Sequence, residues 1–331
     1  MKTAIIVLNW NGRNLLEEFL PSVVTNANGA TVYVADNAST DDSLGFLSKN
    51  FPQVKIIRNA TNGGYAKGYN DAIKSGIPED LLILLNSDVN TPENWLEPLV
   101  EAFKTDPKLG AAQSKILDYR NPELFEYAGA GGGFVDTLGY PYCRGRIFQA
   151  MEKDLGQYND TCDIDWASGA ALAVRKSIFE ELGGFDERFF AHQEEIDLCL
   201  RISARGYMVK HIGASRVFHL GGATLDSMSP QKSYLNFRNS LFVLLKNTPG
   251  GRAFLLIFLR MLLDGVAGIH LLISGKPGHF WAILRAHGSF YRQLPHFLRV
   301  RKQTVKQKRK ITVFSIVWEH FIKGVKRYRN L

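Results

Sequence analysis

The chain has 331 residues, 45% hydrophobic, 11% aromatic and 22% charged, which excludes collagen-like, low-complexity and wholly disordered proteins and suits about two domains. Its three cysteines, Cys143, Cys162 and Cys199, are too few and scattered for a disulfide scaffold or a cysteine zinc site, so a reducing compartment fits. The net charge of +8 is uneven: residues 251–331 hold 16 Lys and Arg against Asp264 and Glu319, a net +14, and residues 1–250 hold 24 basic against 30 acidic residues, a net −6. An acidic body with a basic, apolar tail points to an anionic membrane surface and away from nucleic acid.

The opening MKTAIIVLNW is too short and lacks the cleavage pattern of a signal peptide, and reads as a buried strand. Further apolar, β-branched runs at 31–35, 54–57, 81–85 and 109–113 predict strands. Amphipathic stretches at 15–24, 65–75 and 95–103 predict helices, with Thr91-Pro92 as a helix start. Apolar strands alternating with helices imply a Rossmann-like, mostly parallel sheet covered on both faces. Residues 120–160 read as turns and short antiparallel strands. Helices return at 176–182, ended by Gly183-Gly184, and at 194–205 and 229–246. Residues 247–252, NTPGGR, read as a linker.

Ligands bind such sheets at the carboxyl ends of the strands. Asn9-Trp10-Asn11-Gly12 follows the first strand and carries neither a dinucleotide fingerprint nor a Walker lysine loop. Asp36 and Asn37 follow the second, with capping residues Ser39–Asp42 behind them. Asn62-Gly63-Gly64 precedes a helix carrying Asn70, where glycines can free N–H groups for phosphate or sugar oxygens. Asn86-Ser87-Asp88 follows LLILL, and a carboxylate there needs a partner such as a divalent metal. Farther on, Glu194, Glu195 and Asp197 crowd a helix start, more acids than dipole pairing explains, so one of them is a candidate general base. His219 follows a strand-like run.

Taken together, VLNWNG, VYVADNASTDDS, NGGYAKGYN, LLNSDVN, WASGAALAVRK, GGFDERFFAHQEEIDLCLR and FHLGGAT resemble glycosyltransferase family 2, in its bacterial rhamnosyltransferase-like branch, over residues 1–245. The resemblance implies an α/β GT-A fold over 1–246, with a nucleotide-binding half (1–115) and an acceptor half (116–246). It implies an inverting enzyme that moves a sugar from a nucleotide-diphosphate donor to a saccharide hydroxyl, lipid-linked in this branch, in cell-surface polysaccharide synthesis. Asn9, Asn11, Asp36, Asn37, Asn62, Gly63, Asn70, Asn86 and Arg238 would contact nucleotide or donor. Trp166, Gly169 and Ala170 would line the acceptor side. Asp88 and His219 would serve a divalent metal, Mg or Mn. Glu195 would be the base, with Glu194 as its rival. Two alternatives compete. A sugar-phosphate nucleotidyltransferase needs a Gly-rich, Arg-bearing loop that Asn9–Arg13 does not supply. A non-catalytic membrane scaffold is favoured by Asn86 standing where the metal motif has its first carboxylate, and disfavoured by Asp88 with Glu195.

In the tail, charges at Arg260 and Asp264 divide the apolar run, so neither piece has the roughly 20 residues of a spanning helix. With the basic run 299–310, residues 247–331 read as amphipathic helices lying on the membrane, on a body that folds without them. The alternatives are a solvated basic tail, helices packed on that body and, for the tail alone, nucleic-acid binding. The expected location is the cytoplasmic face of the inner membrane, as a peripheral protein.

Overall fold

A computed structural model describes residues 1–221, 229–306 and 312–331. The end of FHLGGAT, from Gly222, and the end of the basic run, Gln307–Lys310, lie outside the described residues. The central sheet contains β1 (Thr3–Asn9), β2 (Thr31–Asp36), β3 (Lys55–Arg58), β4 (Leu81–Asn86), β5 (Val89–Asn90) and β6 (Leu109–Asp118). A small second sheet holds β7 (Gly133–Val135), β8 (Pro141–Cys143), β9 (Arg146–Ile147) and β10 (Ala150–Met151). The strands β11 (Thr161–Asp163), β12 (Ala171–Arg175) and β13 (Met208–His219) return to the first, whose order is β11-β13-β6-β12-β4-β1-β2-β3, with β5 on the end of β13. Strands β4, β1, β2 and β3 run parallel, whereas β12 is antiparallel to both its neighbours. The sheet is therefore mixed in its second half.

Both faces are buried, because successive residues of one strand enter different cores. Ala4 and Ile6 of β1 join one apolar cluster, and Ile5 and Val7 the other. The covering helices are α1 (Arg13–Thr25), α2 (Ser43–Asn50), α3 (Gly64–Lys74), α4 (Glu97–Thr105), α5 (Lys176–Glu181) and α6 (Glu194–Ala204). Thr91-Pro92 does not start α4. That helix begins five residues later, after a turn, with Pro98 in its first turn. Gly183 and Gly184 end the α5 segment with φ of +75° and +73°, as glycines can.

Three long helices follow: α7 (Pro230–Asn247), α8 (Arg252–Ile273) and α9 (Pro277–Gln303). Ser229 caps α7 by accepting from the Lys232 N–H at 3.2 Å. The NTPGGR segment is a tight corner: Arg301 of α9 donates to the carbonyls of Leu245, Thr248 and Gly250 around it. Phe297 of α9 stacks on Phe242 of α7 with ring centres 3.8 Å apart, and both are buried. The tail is thus packed helix, not a detached appendage. Nor is its apolar run divided. Arg260 and Asp264 lie one turn apart on the inner face of α8 and pair at 2.8 Å, so the helix continues through them.

Candidate active site

The register places the strand-end residues on one edge. Asn9 pairs with Asp36, Leu8 with Asn86, and His219 with both Val89 and Asp118. The strand order turns back at β1, and such switch points open a crevice.

On the nucleotide side the loops brace one another. Asp36 is buried and accepts from Asn9 Nδ2 at 3.0 Å, Ser39 Oγ at 2.6 Å and the Ser39 N–H at 2.9 Å. Asn9, fully buried, leaves Oδ1 as an acceptor without a partner among the described residues. Asn11, at φ +49°, accepts from the Thr40 N–H at 2.7 Å. Asn37 donates to the Gly64 carbonyl at 3.1 Å and accepts from Asn59 at 2.6 Å. The glycine loop is less open than its sequence suggests. The Asn62 carboxamide takes the Gly64 N–H at 3.0 Å, and the Phe190 carbonyl takes that of Ala66 at 3.2 Å. Gly64, at φ +80°, is needed because a Cβ would strike Phe190. Gly63 is the residue just before this turn.

Three residues expected to touch ligand are structural. Asn70 is buried with its amide committed to Phe185, donating to the carbonyl at 2.9 Å and accepting from the N–H at 3.0 Å. Arg238 is buried, its guanidinium committed to the carbonyls of Arg188 and Phe189 at 3.1 and 2.9 Å and to Asn239 at 2.9 Å. Trp166 lies in the core against Gly133 and donates to the Phe134 carbonyl at 3.0 Å. Gly169 and Ala170 are tied to neighbouring loops through their carbonyls. The Gly169 carbonyl accepts from Tyr65 Oη at 2.8 Å, and the Ala170 carbonyl from the Asn86 N–H at 3.1 Å.

At the centre, Asp88 Oδ1 is 3.1 Å from His219 Nε2, and His219 Nδ1 is 3.2 Å from Glu126 Oε2. Asn86 Nδ2 lies 3.4 Å from the same Nε2. Burial opposes the imidazolium, but Asp88 and Glu126 outweigh it and raise His219 to about 10. Burial likewise works against the Asp88 charge, and His219 reverses this, holding the carboxyl below its ordinary range. Glu126 carries no sequence signal, since it lies in the stretch of weak periodicity. Among the described residues, no three His, Cys or acidic side chains are arranged to hold a metal ion between them. The donor set still fits a hard cation of the Mg or Mn kind, which takes one or two carboxylates and completes its shell with water and phosphate oxygens.

The three acids of α6 separate cleanly. Asp197 is fully buried and paired with Lys246 and Arg201, each at 2.8 Å. Burial opposes its charge, but these cations hold it at about 2. Glu194 and Glu195 each keep an Oε2 with no partner among the described residues. Burial raises both above the ordinary carboxylate value, Glu194 further because Glu195 adds its charge. Their loop holds Phe190, His192 and Gln193 at φ of +67°, +69° and +70°. Asn239 fastens it, donating to the carbonyls of Phe189, Ala191 and His192 at 3.1, 2.9 and 2.7 Å. Buried and near Lys232, His192 falls to about 4 and is neutral.

Residues 4–183 match the family model described as "Glycosyl transferase family 2". An N-acetylglucosaminyl-diphospho-decaprenol L-rhamnosyltransferase of Mycobacterium tuberculosis is 28% identical over 233 residues, 65% of this chain and 75% of that protein. The rhamnosyltransferase WbbL of Escherichia coli is 40% identical over 62 residues, 19% of this chain and 23% of that one. Among solved structures, Staphylococcus aureus TarS residues 1–349 superpose with a TM-score of 0.53 at 14% identity, over 98% of this chain and 92% of that one. GalNAc-T7 with UDP, GalNAc and Mn²⁺ gives 0.58 at 18% identity, over 75% of this chain and 48% of that one. At these identities the structural likeness speaks for the fold, which is GT-A. The family match covers more than half of the chain, and the chain belongs to glycosyltransferase family 2.

Proposed function

We propose that the protein transfers a sugar, with inversion, from a nucleotide-diphosphate donor to a hydroxyl of a lipid-linked saccharide, at the cytoplasmic face of the inner membrane, in cell-surface polysaccharide assembly. The observation that carries this is the unpartnered carboxylate pair at the start of α6. Two such acids cannot both ionise cheaply. Glu194, the more deeply buried, keeps its proton, and Glu195 takes the proton of the acceptor hydroxyl as that oxygen attacks the anomeric carbon. The nucleoside diphosphate departs from the opposite face of the sugar. Asn9, Asp36 and Asn37 would receive the nucleoside, and Gly169–Ala170 would floor the acceptor side. Asp88, with the Asn86 amide oxygen, would hold a divalent cation, whose charge offsets that developing on the leaving diphosphate when it is bound. The relative's name, with its diphospho-decaprenol saccharide, supports a lipid-linked acceptor.

The test is the full chain with a panel of nucleotide sugars and an N-acetylglucosaminyl-diphospho-lipid. Free nucleoside diphosphate and the anomeric configuration of the product are the readouts. Transfer with inversion, lost in Glu195→Gln, is expected. Retention of configuration, or no release with any donor, would overturn the proposal.

A further inference from the structure

Among the described residues, α8 is the one helix long and apolar enough to cross a membrane, with 22 residues and a mean hydropathy of 1.9. Its two faces differ. Leu255, Phe258, Leu262, Val266, Ile269 and Ile273 recur at intervals of three and four, a single stripe, and every one is more than half exposed. The opposite face is fixed to the body by charge. Arg260, 4% exposed, stacks on the Tyr140 ring at 3.6 Å and donates to the Leu138 carbonyl at 3.3 Å. Asp264, 0% exposed, takes Arg260 at 2.8 Å, Tyr140 Oη at 3.3 Å and His287 Nε2 at 3.3 Å.

We infer that α8 lies in the plane of an anionic lipid bilayer, outer stripe down, and does not span it. Spanning requires every face of the helix to meet hydrocarbon or another span. Here it would tear the Arg260–Asp264 pair from Tyr140, Leu138 and His287 and leave both charges in lipid. Docking flat keeps that cluster closed and buries only the stripe. Charge selects the occupant. Asp264 is the only acid between residues 250 and 306, and it is buried, whereas Arg252 and Lys276, at the two ends of α8, are exposed, as are Arg285 and Arg292 of α9. Trp281, 61% exposed on α9, is the side chain type that prefers the headgroup layer. A neutral apolar protein partner would leave these cations unmatched. The inference rests on the proposed lipid-linked acceptor for its purpose, and its test is read independently of transfer.

The full chain is floated with sealed vesicles of phosphatidylglycerol and phosphatidylcholine, and with phosphatidylcholine alone. Binding to the anionic vesicles at least tenfold above the neutral ones is expected, weakened by salt. The Phe258→Glu/Leu262→Glu double variant changes only exposed positions. It should lose that binding tenfold or more, with its thermal unfolding and its nucleoside-diphosphate release on a soluble acceptor unchanged. Topology is read in Ser274→Cys, at the exposed end of α8, against the parent protein as background. In-plane docking leaves this thiol open to an impermeant maleimide added outside, and spanning hides it in the lumen. Equal binding by parent and double variant, binding by neither, or protection of the introduced thiol in Ser274→Cys would each overturn the inference. Absence of transfer by a parent protein that still binds vesicles would count against the proposed function alone.

Discussion

Removing the charge from each of the three α6 acids in turn should have opposite effects on stability. Asp197→Asn breaks a buried ion pair and leaves Lys246, 2% exposed at its side chain, with Asp186 alone and Arg201 with backbone carbonyls. Breaking such pairs costs about 3–5 kcal/mol, and the surviving Asp186 contact favours the low end. Near 3 kcal/mol, the midpoint of thermal unfolding should fall by about 4 °C in a chain of this size, at about 2.1 cal/mol/K of unfolding entropy per residue. Glu195→Gln removes instead a carboxylate whose Oε2 has no partner, so stability should hold or rise by about 1 kcal/mol. Transfer should nevertheless fall by about 10²–10⁴-fold, the contribution of a general base. The pH dependences also oppose. The lowered Asp197 contributes stability above its ordinary 3.8 that is lost as pH falls through about 2. The raised Glu194 and Glu195 favour the fold at pH below their ordinary 4.5, and that contribution is lost as pH rises toward their raised values. The parent should therefore lose stability as pH rises from about 5 to 8 relative to Glu194→Gln/Glu195→Gln. Differential scanning calorimetry across pH, paired with nucleoside-diphosphate release, tests all of this. If Glu195→Gln unfolds as early as Asp197→Asn, the carboxylates are structural and the assignment of the base fails.

Asp88→Asn should remove the Mn²⁺ dependence of nucleoside-diphosphate binding while the fold survives. Calorimetry with and without the ion reads this, and an unchanged dependence refutes the metal role. Asn239→Ala loses three bonds to the loop before α6, and should lower kcat about tenfold or more with the donor Kd nearly unchanged, since about 2 kcal/mol of loop stability goes with them. An unchanged kcat would refute the clamp. Truncation after Gly250 should abolish soluble expression, because it uncovers Phe242 and removes Arg301 from the α7 corner. A soluble, cooperatively unfolding 1–250 fragment would refute that.

The sheet was legible because strand burial on two faces demands apolar runs, and the runs at 3–8, 31–35 and 81–85 carry almost no polar interruption. The loops after them were legible as positions, since a strand end in an open sheet has one place to be. Side-chain direction was not. Asn70 and Asn37 look alike in sequence, yet one clamps Phe185 and the other reaches the glycine loop. Which acid of Glu194, Glu195 and Asp197 is neutralised depends on Lys246, 49 positions beyond Asp197 and identifiable only in three dimensions. The length of α8 was hidden for the opposite reason. Charges that interrupt a hydropathy plot do not interrupt a helix when they lie on one face and pair.

The base loop links these observations. Three non-glycine departures into positive φ within four residues, at Phe190, His192 and Gln193, cost of order 1–3 kcal/mol each. A loop free to relax would not keep them. Asn239 and Arg238 accept that cost through five bonds to the carbonyls of residues 188–192, and Phe189 is wedged against Phe242 and Phe297. With its backbone fixed from behind, the start of α6 can hold two carboxylates whose Oε2 atoms have no partner among the described residues. The helix supplying those bonds is α7, and α9 in turn covers α7. The orientation of the proposed base is thus set by residues outside the matched family segment, which ends at 183.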